Sequence, residues 1–134
     1  MNYKISTSKN NVSPKEFVSL FQSVGWAKNH SFDLKKIKYA LQKTSFIVSI
    51  KNEKGELVAC GRVLSDNMFF TTIPDVFVHP KYQKKGLGKI IMNKIIDKYS
   101  HTKIFFGSQP GNEKFFEKLG FKKDLQSYAM KKSK

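Results

Sequence analysis

Residues 78–89 decide the fold, and they read Val78-His79-Pro80-Lys81-Tyr82-Gln83-Lys84-Lys85-Gly86-Leu87-Gly88-Lys89. The residues that lead into them, 73–78, are mostly β-branched or aromatic, which predicts a strand. After them, apolar side chains recur at helical spacing from Leu87 to Tyr99, which predicts an amphipathic helix. A strand therefore runs into a short basic loop with two glycines, and that loop runs into the start of a helix.

This loop is predicted to bind an anion. The first N–H groups of a helix have no partner inside the helix, and the helix dipole adds partial positive charge there. Glycine lets the backbone approach a ligand closely, so a phosphate or pyrophosphate is the expected ligand. The alternative is a tight basic turn that only caps the helix. Two glycines and three lysines at this point favour the anion site.

The composition predicts one globular domain that spans residues 1–134, with 40% hydrophobic content and enough length for a real core. No apolar run is long enough to span a bilayer and no leader opens the chain, so we expect a cytoplasmic protein without a membrane partner. Cys60 is the only cysteine and lies in an apolar run. We interpret it as a small core residue and not as a nucleophile.

The net charge of +15 raises the question of a nucleic-acid partner. However, Arg62 is the only arginine, the lysines are spread along the chain, and no zinc-finger spacing is present. These features argue against a nucleic-acid partner and favour a solvated, lysine-rich surface. The three histidines and the single cysteine have no spacing that predicts a metal site.

The remaining patterns predict the element order βααβββαβαβ, which is a mixed α/β fold. Ser13 is predicted to cap a first helix, and a second helix begins near Asp33 with Leu34, Ile37 and Leu41 facing inward. A hairpin of two strands follows, and a third strand ends at Val78. The segment from Phe121 to Met130 is predicted to form one or two short strands. Pro74 cannot donate to a strand ladder, so a bulge is expected there.

Two motifs resemble those of the GNAT superfamily of acetyl-CoA-dependent N-acetyltransferases. Gln83-x-x-Gly86-x-Gly88 is similar to the acyl-CoA signature, and residues 112–121, from Asn112 to Phe121, are similar to the second signature. The resemblance covers essentially the whole chain. It implies a central, mostly antiparallel, twisted sheet with helices on both faces. It also implies that the bulged strand splays from its neighbour and opens a cleft for acetyl-CoA.

The resemblance also implies which residues bind acetyl-CoA, with no metal. They are Phe77 and Val78 through their backbone, then Gln83, Lys84, Lys85, Gly86, Leu87, Gly88 and Lys89 in the loop, and Asn112 and Phe116 in the second motif. Relatives often carry at the position of Phe116 a tyrosine that protonates the departing thiolate. Phenylalanine cannot do so, and Tyr128 and Ser108 are the substitutes that the sequence offers.

The acceptor side of the site is predicted from three residues. Asp75 lies beside the expected bulge and is a candidate base or amine-binding residue, or else it only satisfies backbone groups there. Trp26 lies where GNAT enzymes build the acceptor pocket, and it either stacks on the acceptor or packs the end of a helix. Arg62 either binds a substrate anion or pairs with Asp66.

These residues together predict an acetyltransferase that moves an acetyl group from acetyl-CoA to a small primary amine by direct attack. Val24-Gly25-Trp26 and residues 62–66 are similar to a subgroup of bacterial small-amine and plant arylalkylamine-type enzymes. One alternative is a protein lysine or N-terminal acetyltransferase. Another is a non-catalytic module that binds acyl-CoA or associates with nucleic acid. The resemblance also makes a homodimer a reasonable expectation, because dimers are common in the superfamily.

Overall fold

The first helix begins where the sequence predicts because a capping box holds its N-terminus. The computed structural model describes residues 2–25 and 31–132. In it, Ser13 Oγ accepts a hydrogen bond from the Glu16 N–H at 3.1 Å, and Glu16 Oε1 accepts from the Ser13 N–H at 3.0 Å. Pro14 takes the first helical position, where a missing N–H costs nothing. Gly25, with φ 90°, adopts the left-handed conformation that commonly follows a helix.

The described residues form five strands and four α-helices, in nearly the predicted order. Their bounds are β1 Lys4–Ser6, α1 Pro14–Ser23, α2 Leu34–Lys43, β2 Phe46–Lys51, β3 Leu57–Ser65, β4 Phe70–Val78, α3 Leu87–Tyr99, β5 Lys103–Phe105 and α4 Glu113–Lys118. Single turns of 3₁₀ helix at Lys9–Asn11 and Pro80–Tyr82 were not predicted. None of the described helices is both long and apolar enough to cross a membrane.

The five strands form one sheet in chain order, β1-β2-β3-β4-β5. The first three pairings are antiparallel and only β4 and β5 run parallel. The antiparallel part follows from short turns, such as the one between β2 and β3 in which Gly55 has φ 81°. The parallel pair needs the α3 crossover between its strands. The predicted mixed α/β fold with a mostly antiparallel sheet is therefore confirmed.

Strand β4 contains the predicted bulge. Arg62 pairs with Asp75, whereas Leu64, two residues later on β3, pairs with Thr72, three residues earlier on β4. One extra residue is therefore accommodated on β4 between Thr72 and Asp75, where Pro74 interrupts the ladder. The extra residue brings Asp75 onto the same face of the sheet as Arg62.

Helices cover the two faces of the sheet with separate apolar clusters. On one face, α3 contributes Ile91 and Ile95, which pack with strand residues such as Val48 and Val63. On the other face, α1 and α2 contribute residues that pack with Ile47, Cys60 and Phe77. Burial on both faces fixes the strand register, because a one-residue slip would exchange the two sets of side chains.

Two predictions about the elements are wrong. Residues 121–130 contain no strand. Their large apolar residues are spaced four, three and two apart, which is not the alternation that a half-buried strand needs. In addition, Leu34 is exposed, whereas Leu41 is buried. Helix α2 therefore contacts the core mainly through its C-terminal half.

Candidate active site

The loop after β4 has the geometry of an anion site. Lys84 and Gly86 have left-handed backbone conformations, with φ values of 63° and 84°. Gly86 is the N-cap of α3 and makes no side-chain cap, so the first N–H groups of the helix are not claimed by a capping side chain. A Cβ built on Gly86 would meet no atom within 4 Å, so open space lies beside the helix start. These features fit a phosphate group.

Polar contacts brace this loop against the end of β4. The His79 N–H donates to the Val58 carbonyl at 2.8 Å, and His79 Nδ1 accepts from the Lys81 N–H at 3.1 Å. Gln83 Nε2 donates to the Val78 carbonyl at 3.0 Å. This hydrogen bond joins the Gln83 side chain to the end of β4 and stabilises the loop. Its predicted part in binding acyl-CoA stays a prediction.

The side chains of the other loop residues are either exposed lysines or packed against the protein. Lys84, Lys85 and Lys89 are exposed at the loop and on the first turn of α3. The Leu87 side chain is buried in the core, so only its backbone is available to a ligand. A Cβ built on Gly88 would lie 3.5 Å from Phe115 Cζ, an ordinary van der Waals contact, so α4 lies next to the start of α3. The loop therefore combines backbone donors with a rim of cations.

Strands β4 and β5 pair over only three residues each. The register joins Phe70 to Lys103, Thr71 to Ile104 and Thr72 to Phe105. Beyond the bulge, β4 continues for four more residues, pairing with β3. The Phe77 side chain is buried under α1, 5.5 Å from the Phe17 ring centroid. Phe77 and Val78 thus lie on the part of β4 that has left β5, next to the anion loop.

A cavity of about 210 Å³ lies on the α1 and α2 side of the sheet. It is lined by Phe17, Val18, Phe21, Phe32, Ile37, Arg62 and Asp75. Five of these side chains are apolar and two carry opposite charges. The predicted acceptor residue Trp26 lies outside the described residues, so its place relative to this cavity stays a prediction.

Arg62 and Asp75 form an ion pair in the wall of this cavity. Arg62 Nε lies 2.5 Å from Asp75 Oδ2, and the two side chains are 19% and 13% exposed. The guanidinium also lies 5.5 Å from the Phe17 ring centroid and contacts Thr44 Oγ1 at 3.4 Å through Nη1. The pair places a carboxylate and a fixed cation within an otherwise apolar site.

This ion pair corrects the prediction that Arg62 pairs with Asp66. Asp66 instead closes the turn between β3 and β4, where its Oδ1 accepts hydrogen bonds from three backbone N–H groups, those of Met68, Phe69 and Phe70. These three bonds lower the pKa of the Asp66 carboxyl. Asp75 reaches Arg62 because the two residues are direct partners across the ladder.

A second, larger cavity of about 520 Å³ lies at the β1 edge of the sheet. Its lining comes from residues 2–11 and 51–55. None of the predicted site residues within 2–25 and 31–132 lines it. The smaller cavity is therefore the better candidate for an acceptor site, because it contains Arg62 and Asp75.

The second motif forms α4 and an aromatic cluster. Phe116 lies 4.6 Å from Phe106 and 5.1 Å from Phe115, measured between ring centroids. Asn112 is the N-cap of α4, and its carbonyl accepts from the Phe116 N–H at 3.3 Å. Phe116 therefore contributes packing where a tyrosine would add a hydroxyl group.

Neither predicted substitute for that hydroxyl group lines the cavity. Ser108 Oγ donates to the Gln109 carbonyl at 3.0 Å. Tyr128 is almost fully exposed, and its hydroxyl donates to Gln126 at 3.4 Å. Both hydroxyl groups therefore donate to neighbouring residues. That either one protonates the thiolate stays a prediction.

Cys60 behaves as a core residue. It is fully buried opposite Phe77, and burial raises the pKa of its thiol to about 12. A thiol with this pKa is protonated at neutral pH and is therefore a poor nucleophile. Among residues 2–25 and 31–132, no group of three His, Cys, Asp or Glu residues could hold a metal ion.

Comparison with known proteins identifies the family. Residues 24–133 match the family described as an acetyltransferase (GNAT) domain. The chain belongs to the GNAT acetyltransferase family. It is 38% identical to an uncharacterized N-acetyltransferase, ycf52, of Pyropia yezoensis, over 88% of this chain and 70% of the relative. It is 30% identical to a Glycine max protein named histone acetyltransferase TAP1, over 90% of this chain and 56% of the relative.

Solved structures have the same fold. A GNAT-family acetyltransferase from Streptococcus pneumoniae TIGR4 superposes with a TM-score of 0.83, covering 99% of this chain and 100% of that one at 18% identity. The family match and the named relatives make this chain an acetyltransferase, and the GNAT family uses acetyl-CoA as its cosubstrate. The narrower resemblance to small-amine and arylalkylamine-type enzymes stays a prediction.

Several residues of the candidate site are not predicted by the sequence. The helical spacing of Phe17 and Phe21 indicates only a core-facing helix, and no motif singles out Phe32 or Thr44. Thr44 is fully buried, and its hydroxyl donates to the Ala40 carbonyl at 2.9 Å while contacting Arg62. The roles of these four residues depend on which side chains meet in the folded chain. Their spacing along the sequence does not show those contacts.

Proposed function

We propose that this chain transfers the acetyl group of acetyl-CoA to the primary amine of a small molecule with an aryl or alkyl body. The observation that carries the proposal is the Arg62–Asp75 pair in an aromatic cavity, on the strand that leads into the anion loop. A carboxylate attracts an amine, and the ring faces of Phe17, Phe21 and Phe32 suit an apolar body.

The anion loop would hold the pyrophosphate of acetyl-CoA. The backbone from Gln83 to Lys89 supplies N–H groups at the start of α3, and Lys84, Lys85 and Lys89 supply positive charge. The β4 backbone at Phe77 and Val78 would pair with the pantetheine amides as an added strand does. Asn112 would lie on the opposite side of this cleft.

Asp75 would position the amine of the acceptor. Acetyl-CoA supplies the thioester that the amine attacks directly. An amine with a pKa of about 10 must lose a proton to react near pH 7, which costs about 4 kcal/mol. Asp75 would accept the proton that the ammonium loses, directly or through water; the neutral amine then attacks the thioester, and the C–S bond breaks to release the CoA thiolate, which takes up a proton. Arg62 binds Oδ2, so Oδ1 would be the oxygen that receives the acceptor.

A titration with acetyl-CoA and a turnover assay test the proposal. Isothermal titration with acetyl-CoA should show micromolar binding that Gly86→Glu abolishes. Gly55→Glu is the matched control, because Gly55 has nearly the same φ, 81°, and equally open space in a turn between β2 and β3. Binding that both variants lose equally would mean that backbone strain, and not the site, was measured.

Release of the CoA thiol in a panel of amines then identifies the acceptor class. We expect turnover with arylalkyl or alkyl amines and a large loss of kcat/KM in Asp75→Asn. The panel includes a lysine-containing histone peptide, because one relative is named as a histone acetyltransferase. Turnover of the peptide alone would favour a protein acceptor. Acetyl-CoA binding without any turnover would favour a non-catalytic acyl-CoA-binding module.

A further inference from the structure

The candidate acceptor cavity is too small to enclose most small-molecule ligands. Its volume of about 210 Å³ lies below the range of about 300–1,000 Å³ that is usual for ligand pockets. An acceptor whose amine lies at Asp75 therefore leaves part of its body outside. The surface that adjoins Arg62 and Asp75 decides which bodies are favourable there.

The sheet face next to the cavity is apolar and uncovered. Arg62 and Leu64 point to the same face of β3 because they are two residues apart. Leu64 pairs with Thr72, and Thr72 pairs with Phe105, so the register continues this face across three strands. Phe70 lies on it too, with its ring centroid 6.2 Å from that of Phe105.

Exposure distinguishes this surface from its surroundings. Leu64, Phe70 and Phe105 are 43%, 55% and 48% exposed. On the other face, Thr71 and Ile73 of the same strand are buried on the α3 side. Helices α1 and α2 cover the face over Cys60 and Phe77, so the apolar area begins where their cover ends.

The charged side chains next to this surface are bound to partners of opposite charge, so an apolar group can bind beside them. Lys103 is the residue opposite Phe70, and its Nζ is bound to Asp124 Oδ2 at 2.6 Å. Toward the cavity, Arg62 and Asp75 occupy charged ladder positions on this face, and they are bound to each other. An amine held at Asp75 would therefore meet a largely apolar surface of Leu64, Phe70 and Phe105, with Thr72 between them.

We propose that Leu64, Phe70 and Phe105 form an extension of the acceptor site that binds the apolar body of the amine, an inference that rests on the proposed function. Leu64 is two strand residues, about 7 Å, from Arg62, and β5 lies about 10 Å from β3. An unbranched hexyl chain spans the distance along the strand to Leu64, and an octyl chain extends beyond it toward β5. The extension selects long, apolar amines over short ones.

Steady-state kinetics with n-butylamine, n-hexylamine and n-octylamine test the extension. In the parent protein, kcat/KM should rise about fourfold for each methylene group that becomes buried. In the double variant Phe70→Ser/Phe105→Ser, the rise from hexyl to octyl should disappear, while the value for butylamine stays the same. The unchanged butylamine value also shows that the variant is folded.

Phe69→Ser is the control for a general loss of surface apolarity. Phe69 is adjacent in sequence and 71% exposed, but it precedes β4 in the turn closed by Asp66. This variant should keep the full dependence on chain length. The same dependence in the parent and in the double variant would overturn the inference while leaving the proposed function intact. No turnover of any amine, with acetyl-CoA still bound, would overturn both.

Two other occupants of the face are separate outcomes of the same experiment. A parent protein that sediments as a dimer, and a double variant that sediments as a monomer, would show that a second copy covers the face. A dependence on chain length that grows in Tyr128→Ser would show that the C-terminal segment covers it, since Leu125, Tyr128 and Met130 are exposed. The dimer result would overturn the inference, whereas a chain-length dependence that grows in Tyr128→Ser would support it, because the uncovered face would then bind the alkyl body.

Discussion

The Arg62–Asp75 pair should contribute a coupling energy that can be measured by a double-mutant cycle. The perturbations are Arg62→Met, Asp75→Asn and the two together. Methionine keeps much of the arginine stem, and asparagine has the size of aspartate, so neither change opens a large cavity. The cycle reports the interaction between the two side chains separately from their other contacts.

The magnitude follows from distance and burial. Two unit charges 4 Å apart attract each other by about 4 kcal/mol at an effective dielectric constant of 20. Part of this attraction is offset by the desolvation of both groups, whose side chains are 19% and 13% exposed. We expect each single variant to lose about 3 kcal/mol of unfolding free energy, because it leaves one charge buried and unpaired. The coupling energy should be about 2 kcal/mol.

Urea unfolding of the four proteins at pH 7 gives the coupling energy, provided the m value stays constant. The matched control is the Lys103–Asp124 pair, which has a similar distance of 2.6 Å but side chains 47% and 59% exposed. Lys103→Met and Asp124→Asn should show no measurable coupling. Equal coupling energies for the two pairs would refute the argument that burial, more than distance, determines the strength of the pair.

Three further predictions use the same assays. Gly61→Ala should cost about 1–3 kcal/mol, because the new Cβ would lie 2.5 Å from Ile91 Cγ2; urea unfolding should show a smaller cost in an Ile91→Ala background, and an equal cost would contradict this reason. Burial raises the pKa of the Cys60 thiol from 9.0 to about 12, so the folded chain keeps a proton that the unfolded chain loses. The unfolding free energy of the parent should therefore fall relative to Cys60→Ala as pH rises above 9, by at most about 1.4 kcal/mol per pH unit, and should not change relative to it below pH 8. Phe116→Tyr should raise kcat for thiol release at least about tenfold, because it restores a proton donor; an unchanged kcat would mean that the thiolate leaves without help.

The sequence predicted those features that depend on neighbouring residues. Ser13, Pro14 and Glu16 lie within one helical turn, so their capping box can be read directly. The bulge at Pro74 was predictable because proline cannot donate to a ladder on either side.

The features that were missed depend on residues far apart in the chain. Arg62 is four residues from Asp66 and thirteen from Asp75, so proximity in sequence favoured the wrong partner. Only the strand register, shifted by the bulge, brings Asp75 opposite Arg62. The aromatic lining was missed for a related reason: a helix face that packs on a core and one that borders a cavity have the same periodicity.

The short pairing between β4 and β5 also has a consequence for motion. Three residue pairs attach β5 to the sheet, whereas β3 and β4 pair along most of their length. Local opening costs less free energy where fewer contacts must break, so β5 can separate from β4 while the β2–β4 sheet stays intact. Such breathing would let a long, branched cosubstrate enter sideways between the two strands, with no need to thread it through a closed channel. The Lys103 N–H donates to the Phe69 carbonyl beside β4 at 2.8 Å, so amide hydrogen exchange should be faster at Lys103 than at Val48.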